Sequence, residues 1–296
     1  MTWVDVQDNR IRVRGYGRGT PVLLLHGLGS SGADWAFQIT PLASHFHVLA
    51  ADLPGCGESP ALSVHASIGA FAALLWQVLD RLHCARPMLV GFSLGGAVAL
   101  EMALQRPESC QRLVTINSLP SYRVDHWRKA LELHAQLAMV RVLGLPRTAR
   151  IVARRLFPHP WQAPMRARVE KVVGEQNADA YLRLARALAA WCAADRIQHL
   201  RCPMLMLAGE HDYTGIEEKR RWAGRLGAQF RLVEGSGHGT PFDAIEDCNR
   251  ALLAFLAGGE APEGLRADPP EAAPAAAPRL PPEVPLGLGR PADLFA

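Results

Sequence analysis

The stretch "LVGFSLGGAVAL" at residues 89–100 constrains the fold more than any other. It opens as an apolar strand and closes as an apolar helix, with one hydroxyl, Ser93, at the join. A strand that turns straight into a helix crowds its backbone at the corner, where Cβ atoms collide. Gly91 and Gly95 stand two residues to either side of Ser93, and glycine tolerates both close approach and strained φ/ψ. Such a turn lifts the serine side chain out at the N-terminus of the helix. Free N–H groups and a partial positive charge there suit a developing oxyanion. A serine N-cap in a tight strand–helix loop accounts for these few residues equally well, so the rest of the chain has to decide.

The rest of the chain repeats the alternation. "IRVRGYG" (11–17), "PVLLLHG" (21–27), "FHVLAAD" (46–52), "PMLVGFS" (87–93), "RLVTINS" (112–118), "PMLMLAG" (203–209) and "QFRLVEG" (229–235) are short apolar runs. Apolar residues on both faces suit buried parallel strands. Between them lie helical patterns: Ile68, Phe71, Leu75, Leu79 and Leu82 recur at three-and-four spacing, and Pro107 stops the helix behind Ser93. The expectation is an α/β fold with a doubly wound, mostly parallel sheet. From 121 to 196 no strand pattern occurs, only helical patterns separated by Pro or Gly, which predicts a helical cap inserted between two sheet strands. The core is then 1–120 with 197–257. Residues 258–296 hold nine prolines and few large apolar side chains, which predicts a disordered Pro/Ala-rich tail.

Composition narrows the function classes. A net charge of +4 over 296 residues is too small to argue for nucleic acid. The start "MTWVDVQDNR" lacks the apolar core of a signal peptide, and the longest apolar run, "AFAALLW", is too short to span a bilayer. A soluble cytoplasmic protein is expected. The cysteines, Cys56, Cys84, Cys110, Cys192, Cys202 and Cys248, are scattered without a C-x-x-C pair, which fits reduced thiols rather than a zinc or redox site. Neither a metal nor an organic cofactor is expected, and oligomeric state is not legible.

A serine hydroxyl is a poor nucleophile until a base takes its proton, and the base needs an acid to fix its tautomer. "LAGEHDYTG" places Asp212 just beyond a strand, and "VEGSGHGTPFD" places His238 in a loop kept small by glycines. The order Ser93, Asp212, His238 is that expected of this turn on this kind of sheet. The N–H of Leu94 and that of Leu28, in "LLLHGLGSSG", are the candidate oxyanion donors. His26 and Asp52 read as loop supports. Asp243 and Glu210 are rivals for the acid, while Asn117 carries an amide that cannot hold a histidinium. Trp35, Phe92 and Phe242 are the pocket candidates.

At this point the chain resembles the α/β-hydrolase fold family, in its cap-bearing branch of esterases, lactonases and carbon–carbon bond hydrolases. The resemblance covers residues 10–257 and rests on "HGLGSSGADW" (26–35), "DLPGCGES" (52–59), "GFSLGG" (91–96), "AGEHD" (208–212) and "GSGHGTPF" (235–242). It implies a triad of Ser93, Asp212 and His238, with Leu28 and Leu94 as oxyanion donors. It implies hydrolysis of a small-molecule ester through an acyl-enzyme; lactone opening, carbon–carbon cleavage and acyl transfer use the same triad. A non-catalytic binding protein on the same scaffold is the rival from another class. The 121–196 segment holds fourteen basic and six acidic side chains, net +8, so the remainder carries −4. Such a surface suits an anionic substrate or an acidic acyl-carrier protein, or simply keeps the segment soluble.

Overall fold

Runs that are apolar on both faces become strands wherever both faces are covered. The computed structural model describes residues 2–62, 66–272 and 277–287. Among these, β1 (Thr2–Val6), β2 (Asn9–Tyr16), β3 (Pro21–Leu25), β4 (His47–Ala51), β5 (Met88–Phe92), β6 (Arg112–Ile116), β7 (Met204–Gly209), β8 (Gln229–Glu234) and β9 (Leu265–Arg266) form one sheet. Its order is β1-β2-β4-β3-β5-β6-β7-β8-β9. β1 and β2 pair antiparallel with each other and β2 with β4; every later pair is parallel.

The two-residue period of each strand divides the core. Leu23, Leu25 and Leu89 face one layer, with Phe71 and Leu75 of α2 (Ile68–Arg81) and Val98 of α3 (Leu94–Gln105). Val22, Leu24 and Val90 face the other, with Ile39 of α1 (Ala36–Ala43) and Leu252 and Phe255 of α9 (Ile245–Leu256). Burying each large side chain of this kind contributes about 1.5–3 kcal/mol. The parallel strands therefore end together at one edge, where the loops carrying Ser93, Asp212 and His238 gather.

Between β6 and β7 the described residues form helices: α4 (Trp127–Leu156), α5 (Ala163–Gly174) and α6 (Ala178–Ala189). α4 breaks at Gly144, whose φ of 74° interrupts the helix two residues before Pro146. Leu137, Val140, Val173, Tyr181 and Leu182 make a separate small core within this excursion. A one-residue bridge from Ser121 to Cys192 closes its neck. α7 (Ile216–Leu226) follows β7, and the short α8 (Thr240–Asp243) follows β8. No helix of the described residues is long and apolar enough to cross a membrane.

Beyond Leu256 the chain makes a few contacts with the sheet. Residues 258–272 and 277–287 are mostly exposed and touch the sheet at a few points; 273–276 and 288–296 lie outside the described residues. β9 extends the sheet beside β8, and Leu265 and Ala261 are buried. Further on, the Val284 N–H donates to Gly15 O at 2.8 Å. β1 pairs with β2 only as far as Val13, so Gly15 has a carbonyl to spare. Leu286 settles against Gly15, where a Cβ would stand 2.3 Å from the leucine. The tail has few apolar side chains, but it places them on the two open edges of the sheet, where backbone groups lack partners.

Candidate active site

The turn between β5 and α3 is built by contact. A Cβ on Gly91 would lie 2.2 Å from the Gly95 carbonyl, and one on Gly95 2.1 Å from that of Leu25. Ser93 between them adopts φ 53°, ψ −117°, a strained conformation for a side chain of its kind. Its N–H donates to Ile116 O, and its side chain stands at the first turn of α3, 8% exposed. Leu94 opens that helix, where N–H groups have no acceptor within it.

The structure brings the three sequence-predicted residues into one line. His238 Nε2 lies 3.0 Å from Ser93 Oγ, and His238 Nδ1 lies 2.7 Å from Asp212 Oδ1. With Nδ1–H donating to the carboxylate, Nε2 is left to accept from the serine hydroxyl. Burial alone would raise the Asp212 carboxyl. The hydrogen bond from His238, the charges of His238 and Lys219 and the Lys219 hydrogen bond outweigh it and hold Asp212 down to about 2.

The rival acids serve the backbone instead. Asp243 accepts from Ser236 Oγ at 2.6 Å and from Gly237 N–H at 2.9 Å. Glu210 accepts from Gly235 N–H. Both hold the loop that presents His238. Asp52 accepts from the N–H groups of Gly32 and Glu58, and His26 Nε2 accepts from Leu53 N–H. These two support loops, as the sequence suggests.

Three residues were not singled out for the roles they take here. Asn117, at φ 48°, donates to His238 O and Thr240 Oγ1 and accepts from Gly209 N–H, tying the ends of β6 and β7 to the histidine loop. The Tyr213 hydroxyl lies 3.1 Å from His238 Nε2, with its ring 4.3 Å from the imidazole. Lys219, in α7, donates to Asp212 Oδ2 from a buried position. Tyr213 follows Asp212 directly and could have been read from that; the Lys219 and Asn117 contacts depend on how α7 and the β6 end pack.

A cavity of about 310 Å³ adjoins the turn. Leu28, Phe92, Gly239 and Phe242 line it from the core side, and Leu156, Met165 and Val173 from the excursion. Phe92, which precedes Ser93 and lies 5.2 Å from the His238 ring, stands between this wall and the three residues, none of which lines the cavity itself. Phe157 meets Phe242 edge-on at 6.4 Å and completes an aromatic file. Trp35, expected on this wall, is instead 2% exposed in the core beside Ile39 and Leu42. It points at the sheet, while its neighbours Asp34, Ala36 and Phe37 line the cavity.

Several basic side chains of the excursion are engaged. Arg168 grips Asp34 Oδ1 through Nε and Nη2 at 2.8 and 2.7 Å, and Arg196 pairs with Glu101 at 2.8 Å. Arg166 donates to the carbonyls of Phe157 and His159. The first two pairs fasten the excursion to the core.

A family description, "alpha/beta hydrolase fold", matches residues 20–244. A protein named "Putative carbamate hydrolase RutD" from Pseudomonas syringae pv. syringae (strain B728a) is 32% identical over 247 residues, covering 80% of this chain and 93% of that one. Among solved structures, the esterase EaEST from Exiguobacterium antarcticum superposes with a TM-score of 0.81 at 20% identity, covering 87% and 99%. The enol-lactonase from Burkholderia xenovorans LB400 gives 0.79 at 21% identity, covering 86% and 100%. At such identities the structural likeness speaks for the fold alone. The family match spans most of the sequence: the chain belongs to the alpha/beta hydrolase fold family.

Proposed function

We propose that the protein is a serine hydrolase that cleaves carboxylic esters of medium-length apolar acyl groups through an acyl-enzyme. The observation that carries this reading is the line Ser93–His238–Asp212 set beside a mostly apolar cavity. Ser93 Oγ attacks the acyl carbon while His238 Nε2 takes its proton, and Asp212 steadies the imidazolium. The N–H groups of Leu94 and Leu28 hold the oxyanion. His238 then protonates the departing alcohol, and a water activated by the same histidine releases the acid. Residues 121–196 act as a cap that decides which acyl group fits, on a core of 1–120 and 197–257. The carbamate in one relative's name is a small polar group with nothing to bury in an apolar space of about 310 Å³.

The test is direct. A fluorophosphonate probe should label Ser93 in the folded protein and leave Ser93→Ala unlabelled. Across p-nitrophenyl esters from acetate to laurate, kcat/KM should peak at intermediate length. Folded protein that takes no label would overturn the reading in favour of a binding protein.

A further inference from the structure

Lys219 has no part in the chemistry above, yet it is buried against the carboxylate that the chemistry uses. Its side chain is 1% exposed, and its ammonium donates to Asp212 Oδ2. The other oxygen of that carboxylate accepts from His238 at 2.7 Å. Thr214 adds an Oγ1–H donor to Oδ2 at 2.7 Å and a longer N–H contact to Oδ1 at 3.3 Å. One buried carboxylate thus faces two groups that can be cationic, the Lys219 ammonium on one oxygen and the His238 ring on the other.

We infer that Lys219 is a positioning residue that sets the pH range of the site. By neutralising Asp212 from its far side, it keeps the His238 imidazole unprotonated, and so able to accept the Ser93 proton, in more acidic solution than Asp212 alone would. This inference rests on the serine hydrolase reading of the same site.

The argument is electrostatic. An isolated buried carboxylate beside an imidazole favours the imidazolium strongly, because little water screens the pair. A second cation on the same carboxylate cancels much of that field at the ring. Burial opposes the charge on Lys219, and the Asp212 charge and hydrogen bond restore part of it. The other groups that face this cluster do not substitute for it. Glu218 on α7 supports the lysine charge. Tyr122, at the start of the excursion, is a buried phenol pushed up to about 12 and stays neutral. Tyr213 meets His238 Nε2 on the side away from Asp212, with Arg155 over its ring at 5.2 Å. Asp243 bonds Ser236 and Gly237 rather than either ring nitrogen.

The experiment compares Lys219→Gln, which keeps a hydrogen-bond donor, Lys219→Met, which keeps only the shape, and Lys219→Arg, which keeps the charge. Two profiles are read against pH: kcat/KM for a neutral p-nitrophenyl ester, and the rate of fluorophosphonate labelling at Ser93. Both neutral variants should move the acid limb of both profiles to higher pH by about one unit. Lys219→Arg should keep the wild-type limb. Neutral variants that fold and keep the wild-type limb would overturn the inference. Neutral variants that do not fold would overturn it too, since Lys219 would then be a structural ion pair. Absence of labelling in the wild type is a different failure, that of the hydrolase reading itself.

Discussion

The strand-end loops of the core and the helices of 121–196 face each other across one cavity, but they are built on different terms. The loops are dictated by backbone. Gly91 and Gly95 are needed because any Cβ would strike a carbonyl about 2 Å away, and Asn117 and Asp243 bind main-chain groups of the histidine loop. The helices are fixed by side-chain packing among Leu137, Val173, Tyr181 and their neighbours, and by the Arg168–Asp34 and Arg196–Glu101 pairs. A backbone-dictated region tolerates few substitutions and can hold atoms to fractions of an ångström. A packed helical layer can change its lining one residue at a time. On the proposed reading, the division gives chemistry to the loops and selectivity to the helices.

The largest effects should fall on the loop side. Ser93→Ala and His238→Ala should each lower kcat by about 10⁴- to 10⁶-fold, and the double variant should lose little more, since such residues act as a unit. Asp212→Asn should cost about 10²- to 10⁴-fold by presenting the wrong partner to Nδ1. Asp243→Asn keeps an acceptor for the Ser236 hydroxyl and should cost under about tenfold. Steady-state kinetics on one p-nitrophenyl ester measures all four. If Asp243→Asn were the more damaging of the two, the acid would have to be reassigned and the division of labour within the loops redrawn.

The same contrast explains what could be read from the sequence. Ser93, Asp212 and His238 were legible because each follows an apolar strand and sits among residues with few conformational alternatives. Phe92 and Phe242 were legible as chain neighbours of those three, and the structure puts both on the cavity wall. Trp35 was misplaced because direction at a helix start depends on the turn before it, which one amphipathic pattern does not specify. Phe157 and Lys219 stayed hidden because their contacts arise from the way separate helices come to rest on the site. The few contacts that Leu265 and Leu286 make stayed hidden because composition counts apolar side chains without showing which sheet edges they meet.

On the helix side the expected effects are smaller and depend on the substrate. Val152 and Val169 line the cavity from α4 and α5. Val152→Phe or Val169→Phe would fill part of the space that the proposed acyl chain would occupy. Either should lower kcat/KM for a medium-chain ester by about 10- to 100-fold and leave the acetate within about threefold, since pocket contacts discriminate by roughly 1–3 kcal/mol per methylene. A uniform loss across chain lengths would mean that the helices take part in catalysis rather than in selection.

The smallest expected effect lies where the two regions touch. Tyr213 belongs to the loop after β7, yet Arg155 of α4 rests over its ring. Its side chain is 54% exposed, and its hydroxyl lies 3.1 Å from His238 Nε2, the atom that also lies 3.0 Å from Ser93 Oγ. A neutral imidazole nitrogen has one lone pair, so the two hydroxyls compete for it. When Tyr213 donates, Ser93 lacks the base that the proposed mechanism gives it. Tyr213→Phe removes the competitor and keeps the ring against His238 and Arg155. A hydrogen bond has a net worth of about 0.5–1.5 kcal/mol, so fluorophosphonate labelling of Ser93 should quicken by about two- to tenfold. Labelling is the right readout because the small probe asks little of the cavity. A slower rate would show that the hydroxyl assists the reaction, by orienting His238 or by binding the incoming group. The chemistry would then stay with the loops but need a fourth side chain, one that Arg155 of the helix layer touches.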